Sequence, residues 1–300
     1  NGMANPLTEF SKGLVSSVEL GGASTVLVDG RKRYPASGIA LADDLVLTAD
    51  HVLTREEGIK VALPDGKTLD AAIAGRDPGS DLALLRLAEK ALTPAKTSDS
   101  VNVGQLVLAL GRPSAAGIQA SWGIVTAISG PARTFRGGML DEYIQSETTP
   151  YPGFSGGPLI DTEGNVLGLN TSGLTRGSSL TIPVKMAWRV GDALAKHGTV
   201  KRGYLGVRTQ SVEITEAGRQ ALKREQDHGL LVLWLEGEGP AATSGLLVGD
   251  ILVAIGGQPV GDADDLFSAL SSETVGKAVA VEVLRGGRPE TVKVTVGERK

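Results

Sequence analysis

Gly153-Phe154-Ser155-Gly156-Gly157-Pro158 carries the sharpest chemical signal in the chain. A serine flanked by glycines lets the backbone approach a substrate carbonyl closely. The N–H groups of Gly153 and Ser155 can then converge on one point as an oxyanion hole. A serine hydroxyl is a weak nucleophile until a base takes its proton. The chain holds three histidines. His51 lies in Leu47-Thr48-Ala49-Asp50-His51-Val52-Leu53, at the end of an apolar run. His197 ends a helical stretch and His228 follows a polar one, and both read as solvated or capping residues. His51 is therefore the candidate base. An acid must hold its tautomer and stabilise the imidazolium. Asp81, in Gly79-Ser80-Asp81-Leu82-Ala83-Leu84-Leu85, opens an apolar strand, where a carboxylate is costly without a partner. Asp77 reads as part of the Asp77-Pro78-Gly79 turn instead.

The elements that must position these residues are short. From Val26 to about Pro183, apolar runs are cut by turn signals such as Pro64-Asp65-Gly66. Strands are expected at 37–41, 45–49, 59–63, 68–74, 82–87, 105–110, 119–128, 143–145, 158–160 and 166–170, with no early helix, which implies an all-β barrel or sandwich. Val184, Ala187, Val190 and Leu194 recur at helical spacing, and Gly198 sits where a C-cap glycine belongs. The last hundred residues mix strands with two expected helices, at 215–226 and 262–270. The expected organisation is an N-terminal segment (1–22), a β domain (23–198), a linker (199–203) and a small α+β domain (204–300).

The chain order His51, Asp81, Ser155 is that of the chymotrypsin-like double β-barrel proteases. The glycine-flanked serine also satisfies the G-x-S-x-G pattern of α/β-hydrolases. That fold needs alternating strands and helices and the order Ser, Asp, His, and helices are scarce before Ser155.

Composition agrees with a folded β-rich chain. Of 300 residues 41 are glycine, 41% are hydrophobic and 21% charged, too apolar for disorder. The absence of cysteine excludes disulfides, thiolate metal sites and cysteine nucleophiles. A net charge of −4 without a Lys/Arg run argues against nucleic acid as a partner. No apolar stretch approaches the ~20 residues of a membrane helix. Neither a metal nor a cofactor is called for. No signal peptide is visible. Asn1-Gly2 ahead of Met3 resembles an expression remnant, so the natural start is Met3 or an upstream segment that has been removed.

Three blocks, Thr48-Ala49-Asp50-His51-Val52, Ser80-Asp81-Leu82-Ala83-Leu84-Leu85 and Pro152-Gly153-Phe154-Ser155-Gly156-Gly157-Pro158-Leu159, resemble the catalytic blocks of the HtrA/Deg serine proteases. Arg202-Gly203-Tyr204-Leu205-Gly206-Val207, Gly239-Pro240-Ala241-Ala242-Thr243-Ser244-Gly245-Leu246 and Gly249-Asp250-Ile251-Leu252 resemble that family's PDZ domain, with room for one copy. The resemblance implies a mainly β fold: a chymotrypsin-like double β-barrel followed by a small α+β PDZ domain. Two residues depart from the family pattern. Asp50 stands where a small residue is usual, and its charge beside His51 would favour the imidazolium. Phe154 stands where asparagine is usual, beside Gly153 of the oxyanion hole, so an inactive resting state is conceivable.

By the same resemblance, Thr149, Asn170 and Leu180 belong to the specificity pocket. No acid lies in Thr148–Phe154, so basic side chains are disfavoured there, and Leu180 points to an aliphatic preference. Arg133, with Arg136 second, matches a regulatory-loop arginine. Leu205, Gly206 and Val207 would bind a peptide carboxylate, and Leu266 and Leu270 would line the groove or pack the core. A homotrimer held by the N-terminal segment through Phe10 is also implied. The function implied is an ATP-independent serine endopeptidase of protein quality control. It would act on unfolded or misfolded proteins, with its PDZ domain taking hydrophobic C-termini. The alternative is a silent or conditionally inactive protease acting as a PDZ-bearing chaperone or scaffold. The family suggests the bacterial cell envelope or periplasm, and a start at Met3 would suggest the cytoplasm.

Overall fold

The computed structural model describes residues 5–134, 138–174, 179–200, 203–270 and 274–298. The chain divides into two compact units, Asn1–Val200 and Lys201–Lys300.

The first unit opens with a helix, α1 (Pro6–Gly22), where no early helix was expected. Its start follows local chemistry: Asn5 Oδ1 accepts the Leu7 N–H at 3.0 Å, and Pro6 fills the first turn. Its buried residues are Ser17, Gly21 and Gly22, while Leu7, Phe10, Val15 and Leu20 face outward. Leu14 and Val18 also pack on the core, but with Leu7, Phe10, Val15 and Leu20 outward the apolar residues are spread around the helix and mark no single face.

Six strands then close the first barrel: β1 (Thr25–Asp29), β2 (Ala36–Ala40), β3 (Leu45–Ala49), β4 (Ile59–Ala62), β5 (Thr68–Asp77) and β6 (Leu82–Leu87). Their order is β1-β2-β3-β6-β5-β4. Val26, Val28, Val46, Val61 and Leu85 fill it. A second barrel follows, built from β7 (Leu106–Ser114), β8 (Gly117–Ser129), β11 (Tyr143–Ser146), β12 (Pro158–Ile160), β13 (Val166–Thr171) and β14 (Leu180–Pro183). Between β8 and β11 the chain forms a two-stranded ribbon, β9 (Ala132–Arg133) with β10 (Met139–Leu140). Helix α2 (Val184–His197) lays Ala187, Val190 and Leu194 on the core and ends at Gly198, which takes φ 73. The fold class is thus mainly β, with a double β-barrel, as the family resemblance implied where the strand spacing left a barrel or a sandwich open.

In the second unit, β15 (Gly203–Tyr204) pairs β22 (Gly297–Glu298). The main sheet runs β16 (Val207–Glu213), β17 (His228–Leu235), β18 (Ile251–Ile255), β20 (Ala278–Arg285), β21 (Arg288–Thr295), with β19 (Gln258–Pro259) beside β18. Helix α3 (Glu216–Leu222) stops short of the expected 226, because Lys223 turns left-handed at φ 53. A short α4 (Pro240–Thr243) follows β17, and α5 (Ala263–Ala269) starts on a reciprocal Asp262/Asp265 capping box.

Candidate active site

The register of the first barrel brings the candidate base and acid, His51 and Asp81, together. β3 pairs β6 with Ala49 opposite Leu82, so the residues just past one strand face those just before the other. A single 3-10 turn, Asp50–Val52, presents His51 there. Asp81 is fully buried and holds φ 56, a strained left-handed backbone that aspartate tolerates better than most residues. That conformation commits both carboxylate oxygens. Oδ1 accepts the His51 backbone N–H at 2.8 Å, and Oδ2 lies 2.8 Å from His51 Nδ1 and accepts the Thr171 hydroxyl. The Asp50 N–H donates to the Asp81 carbonyl at 3.0 Å. Gly173 closes over the pair, and any side chain there would strike Asp81 Oδ2 and His51 Nδ1.

Ser155 comes from the second barrel, in the loop before β12. Its carbonyl accepts the Ser37 N–H at 3.1 Å, and its hydroxyl pairs with Ser172 Oγ at 3.2 Å. Among the described residues, no hydrogen bond joins Ser155 to His51, although both line one cleft. Gly153 takes φ 89, as only glycine does without strain. Its carbonyl accepts Ser37 Oγ at 2.7 Å, and that hydroxyl in turn accepts the Arg112 N–H at 2.8 Å. Phe154 is buried among Val107, Val125, Ile144 and Leu167 and meets Tyr151 edge-on, with ring centroids 5.4 Å apart. The nucleophile loop is thus plugged into the second barrel's core by an apolar side chain.

The charge of Asp50 is not left to act on His51 alone. Arg76 Nε donates to Asp50 Oδ1 at 2.5 Å, and Arg76 Nη2 donates to the carbonyls of Asp50 and Leu53 at 3.2 and 3.0 Å. The acid is matched by a guanidinium that also ties down the His51 turn. The Arg76 N–H is itself held by the Gly198 carbonyl at 3.2 Å, at the end of α2.

The cleft measures about 610 Å³. Asn170 and Leu180 line it, but Thr149 does not. Thr148 and Pro150 form that wall, while Thr149 is exposed and its N–H donates to Ser121 Oγ at 2.6 Å. The β11–β8 register shifts at Gln145/Ser146, which offsets the following residues. Asn170 Oδ1 accepts the Thr181 hydroxyl at 2.7 Å, while its buried Nδ2 has no partner among the described residues.

Arg133 lies on β9, exposed, and Arg136 falls outside the described residues. Its neighbour Thr134 is buried and donates from its hydroxyl to the Gly79 carbonyl at 2.8 Å, two residues before Asp81. Sequence reasoning missed Thr134, as it missed Arg76, Ser37 and Thr148. Thr171 and Ser172 fell within the stretch 170–172 expected as a pocket wall, but their hydrogen bonds to Asp81 and Ser155 were not anticipated.

In the second unit β16 is an edge strand. Gly206 takes φ 77 ahead of it, and its carbonyl accepts the Glu236 N–H at 2.9 Å. The Leu205 carbonyl accepts the Ala241 N–H at 2.8 Å, and Val207 faces Leu235 in the ladder. Leu266 and Leu270 are both buried in the core with Leu252 and Val281, so packing is their visible role. Among the described residues, no group of three His, Asp or Glu could hold a metal ion.

Comparison with known proteins matches residues 36–169 to the trypsin-like peptidase domain and 203–296 to the PDZ domain. A probable periplasmic serine endoprotease, DegP-like, of Pseudomonas putida is 36% identical over 266 residues, covering 86% of this chain and 54% of that protein. Its counterpart in Halomonas elongata is 34% identical over 275 residues, covering 89% and 57%. The chain thus spans about half the length of the curated relatives it matches. Among solved structures, the HtrA-type protease AlgW with decapeptide superposes with a TM-score of 0.79 at 27% identity, over 96% of this chain and 99% of that one. The serine endoprotease from Yersinia pestis gives 0.77 at 27%, over 96% and 98%. With the triad order, both barrels and the appended domain in place, the chain belongs to the HtrA/Deg family, with a trypsin-like peptidase domain followed by one PDZ domain.

Proposed function

We propose that this chain is an ATP-independent serine endopeptidase that cleaves unfolded or misfolded proteins. The observation that carries the reading is Asp81 Oδ2 at 2.8 Å from His51 Nδ1, with Ser155 in the same cleft. His51 takes the Ser155 proton as Oγ attacks the scissile carbonyl. Asp81 keeps the imidazole in the Nδ1–H tautomer and stabilises the imidazolium. The N–H groups of Gly153 and Ser155 receive the oxyanion. His51 then passes the proton to the leaving amine, and water, deprotonated by the same base, releases the acyl group. Substrate binding swings the Ser155 hydroxyl from Ser172 to the free nitrogen of His51.

A pocket bounded by Thr148, Asn170 and Leu180 holds the side chain before the cut, with aliphatic groups preferred and basic ones rejected. The PDZ domain takes hydrophobic C-termini by strand addition at β16, with the carboxylate on the N–H groups of Leu205, Gly206 and Val207. The outward apolar face of α1, with Phe10 edge-on to Trp122 at 6.2 Å, supports assembly into a homotrimer. The naming of the relatives supports a periplasmic setting, and no described helix is long and apolar enough to cross a membrane.

Casein cleavage tests the reading. The wild type cleaves, Ser155→Ala and His51→Ala do not, and peptides ending in a hydrophobic residue change the rate. A second reading, a conditionally silent protease serving as chaperone or scaffold, is favoured by the Ser155–Ser172 pairing at 3.2 Å. It predicts suppression of aggregation with no cleavage by either form, peptide or not.

A further inference from the structure

The loop between β1 and β2 reads Gly30-Arg31-Lys32-Arg33-Tyr34-Pro35 and sets three cations in a row. Its base is pinned to the chain just beyond the His51 turn. The Gly30 carbonyl accepts the N–H groups of Thr54 and Arg55 at 3.0 and 3.1 Å, and the Arg55 guanidinium holds Asp29 Oδ1 at 2.5 Å. Arg31 and Tyr34 line the same cleft as His51 and Ser155. Arg31 Nε donates to the Tyr34 carbonyl, which orients the guanidinium and leaves its two terminal nitrogens uncommitted. Among the described residues, no carboxylate pairs with Arg31, Lys32 or Arg33. Burial lowers the pKa of Arg31, the mark of a cation drawn from water without an anion in return. A partly buried fork of free donors is a seat for a carboxylate.

Its place in the cleft says which part of a substrate would bring that carboxylate. Asn170, Ser172 and Leu180 stand on the second barrel, beside the oxyanion hole, where the acyl half of a substrate must lie. The 30–35 loop stands on the first barrel, across Gly153, with the Pro35 carbonyl facing the Gly153 Cα. A peptide leaving the oxyanion hole away from Asn170 runs onto this loop. Resting on the serine-protease reading above, we propose that residues 31–34 form a subsite for the leaving side of the scissile peptide, and that it selects an acidic side chain. At ~3.4 Å per extended residue, one arginine's reach puts that acid within about three positions after the cut.

Internally quenched peptides identical except for Asp, Ala or Lys at each of those positions test the subsite on the full chain. One position is expected to show Asp over Lys by about 5- to 10-fold in kcat/KM, carried by KM. The preference shrinks in about 0.5 M NaCl. Arg31→Gln removes it, the Asp and Lys peptides then being cleaved alike, and Arg31→Lys restores part of it. Equal cleavage of the three peptides by the wild type overturns the proposal and leaves the protease reading intact. So does a preference that survives Arg31→Gln. Failure to cleave any of the peptides or casein sinks the protease reading, and the proposal with it.

Discussion

Arg76 and Asp50 form a salt bridge at the His51 turn, with Nε and Oδ1 2.5 Å apart and the carboxylate almost wholly buried. Arg76→Met would strand that carboxylate next to the base and release two carbonyls of the turn. Fluorophosphonate labelling of Ser155 is expected to slow by ~10-fold or more, for a cost of a few kcal/mol when one buried partner is removed. The double variant Asp50→Ala/Arg76→Met removes both charges and installs the small residue usual in the family. It is expected to label faster than Arg76→Met alone. Equal rates for the two variants would remove the pair from the mechanism.

Asp81→Asn replaces an oxygen that accepts from His51 Nδ1 and from Thr171. The amide can instead donate, which selects the wrong tautomer. The kcat for a peptide substrate is expected to fall by ~10³- to 10⁴-fold at neutral pH with KM little changed. A loss under tenfold would contradict the assigned role.

Phe154→Ala empties a site inside the second barrel, and the protease unit is expected to lose ~3–5 kcal/mol. Phe154→Asn restores the residue usual in the family but buries an amide among valines and leucines, so it also destabilises. Both effects are read from the thermal transition of the first unit. Gly111 should be equally intolerant, since a side chain there would collide with the Phe154 ring.

In the second unit, burial raises the Asp250 pKa. Hydrogen bonds from Arg285 and the Leu247 N–H outweigh it and hold the carboxyl below its usual range. A carboxyl depressed on folding stabilises the unit above the unfolded-state pKa of ~3.9, and that contribution is lost as pH falls through the lower folded value. Arg285→Gln is therefore expected to shift the acid unfolding of this unit to higher pH, as read by hydrogen exchange in β18 and β20. An unmoved acid transition would refute the linkage.

The candidate catalytic side chains were legible because each sits inside a local pattern: glycines around Ser155, an apolar strand before His51, another after Asp81. What those patterns lacked was the shell. Arg76 reaches Asp50 across 26 residues of chain and Thr171 reaches Asp81 across 90, and no spacing rule anticipates either. Thr149 gave way to Thr148 because a strand irregularity at Gln145/Ser146 offsets the wall. Helix α1 packs through Leu14, Val18 and small residues while other apolar side chains face outward, so no single apolar face marked it in the sequence. The spacing of Leu266 and Leu270 fixed a shared helix face without telling core from groove.

The bridge between Arg76 and Thr199 has a mechanical side. The chain leaves the first unit through Thr199 and Val200, and its last step is laid alongside β5. A pull on that exit is borne first at Arg76, the residue that grips the His51 turn. The way out of the first unit and the turn that carries His51 thus hang on one residue.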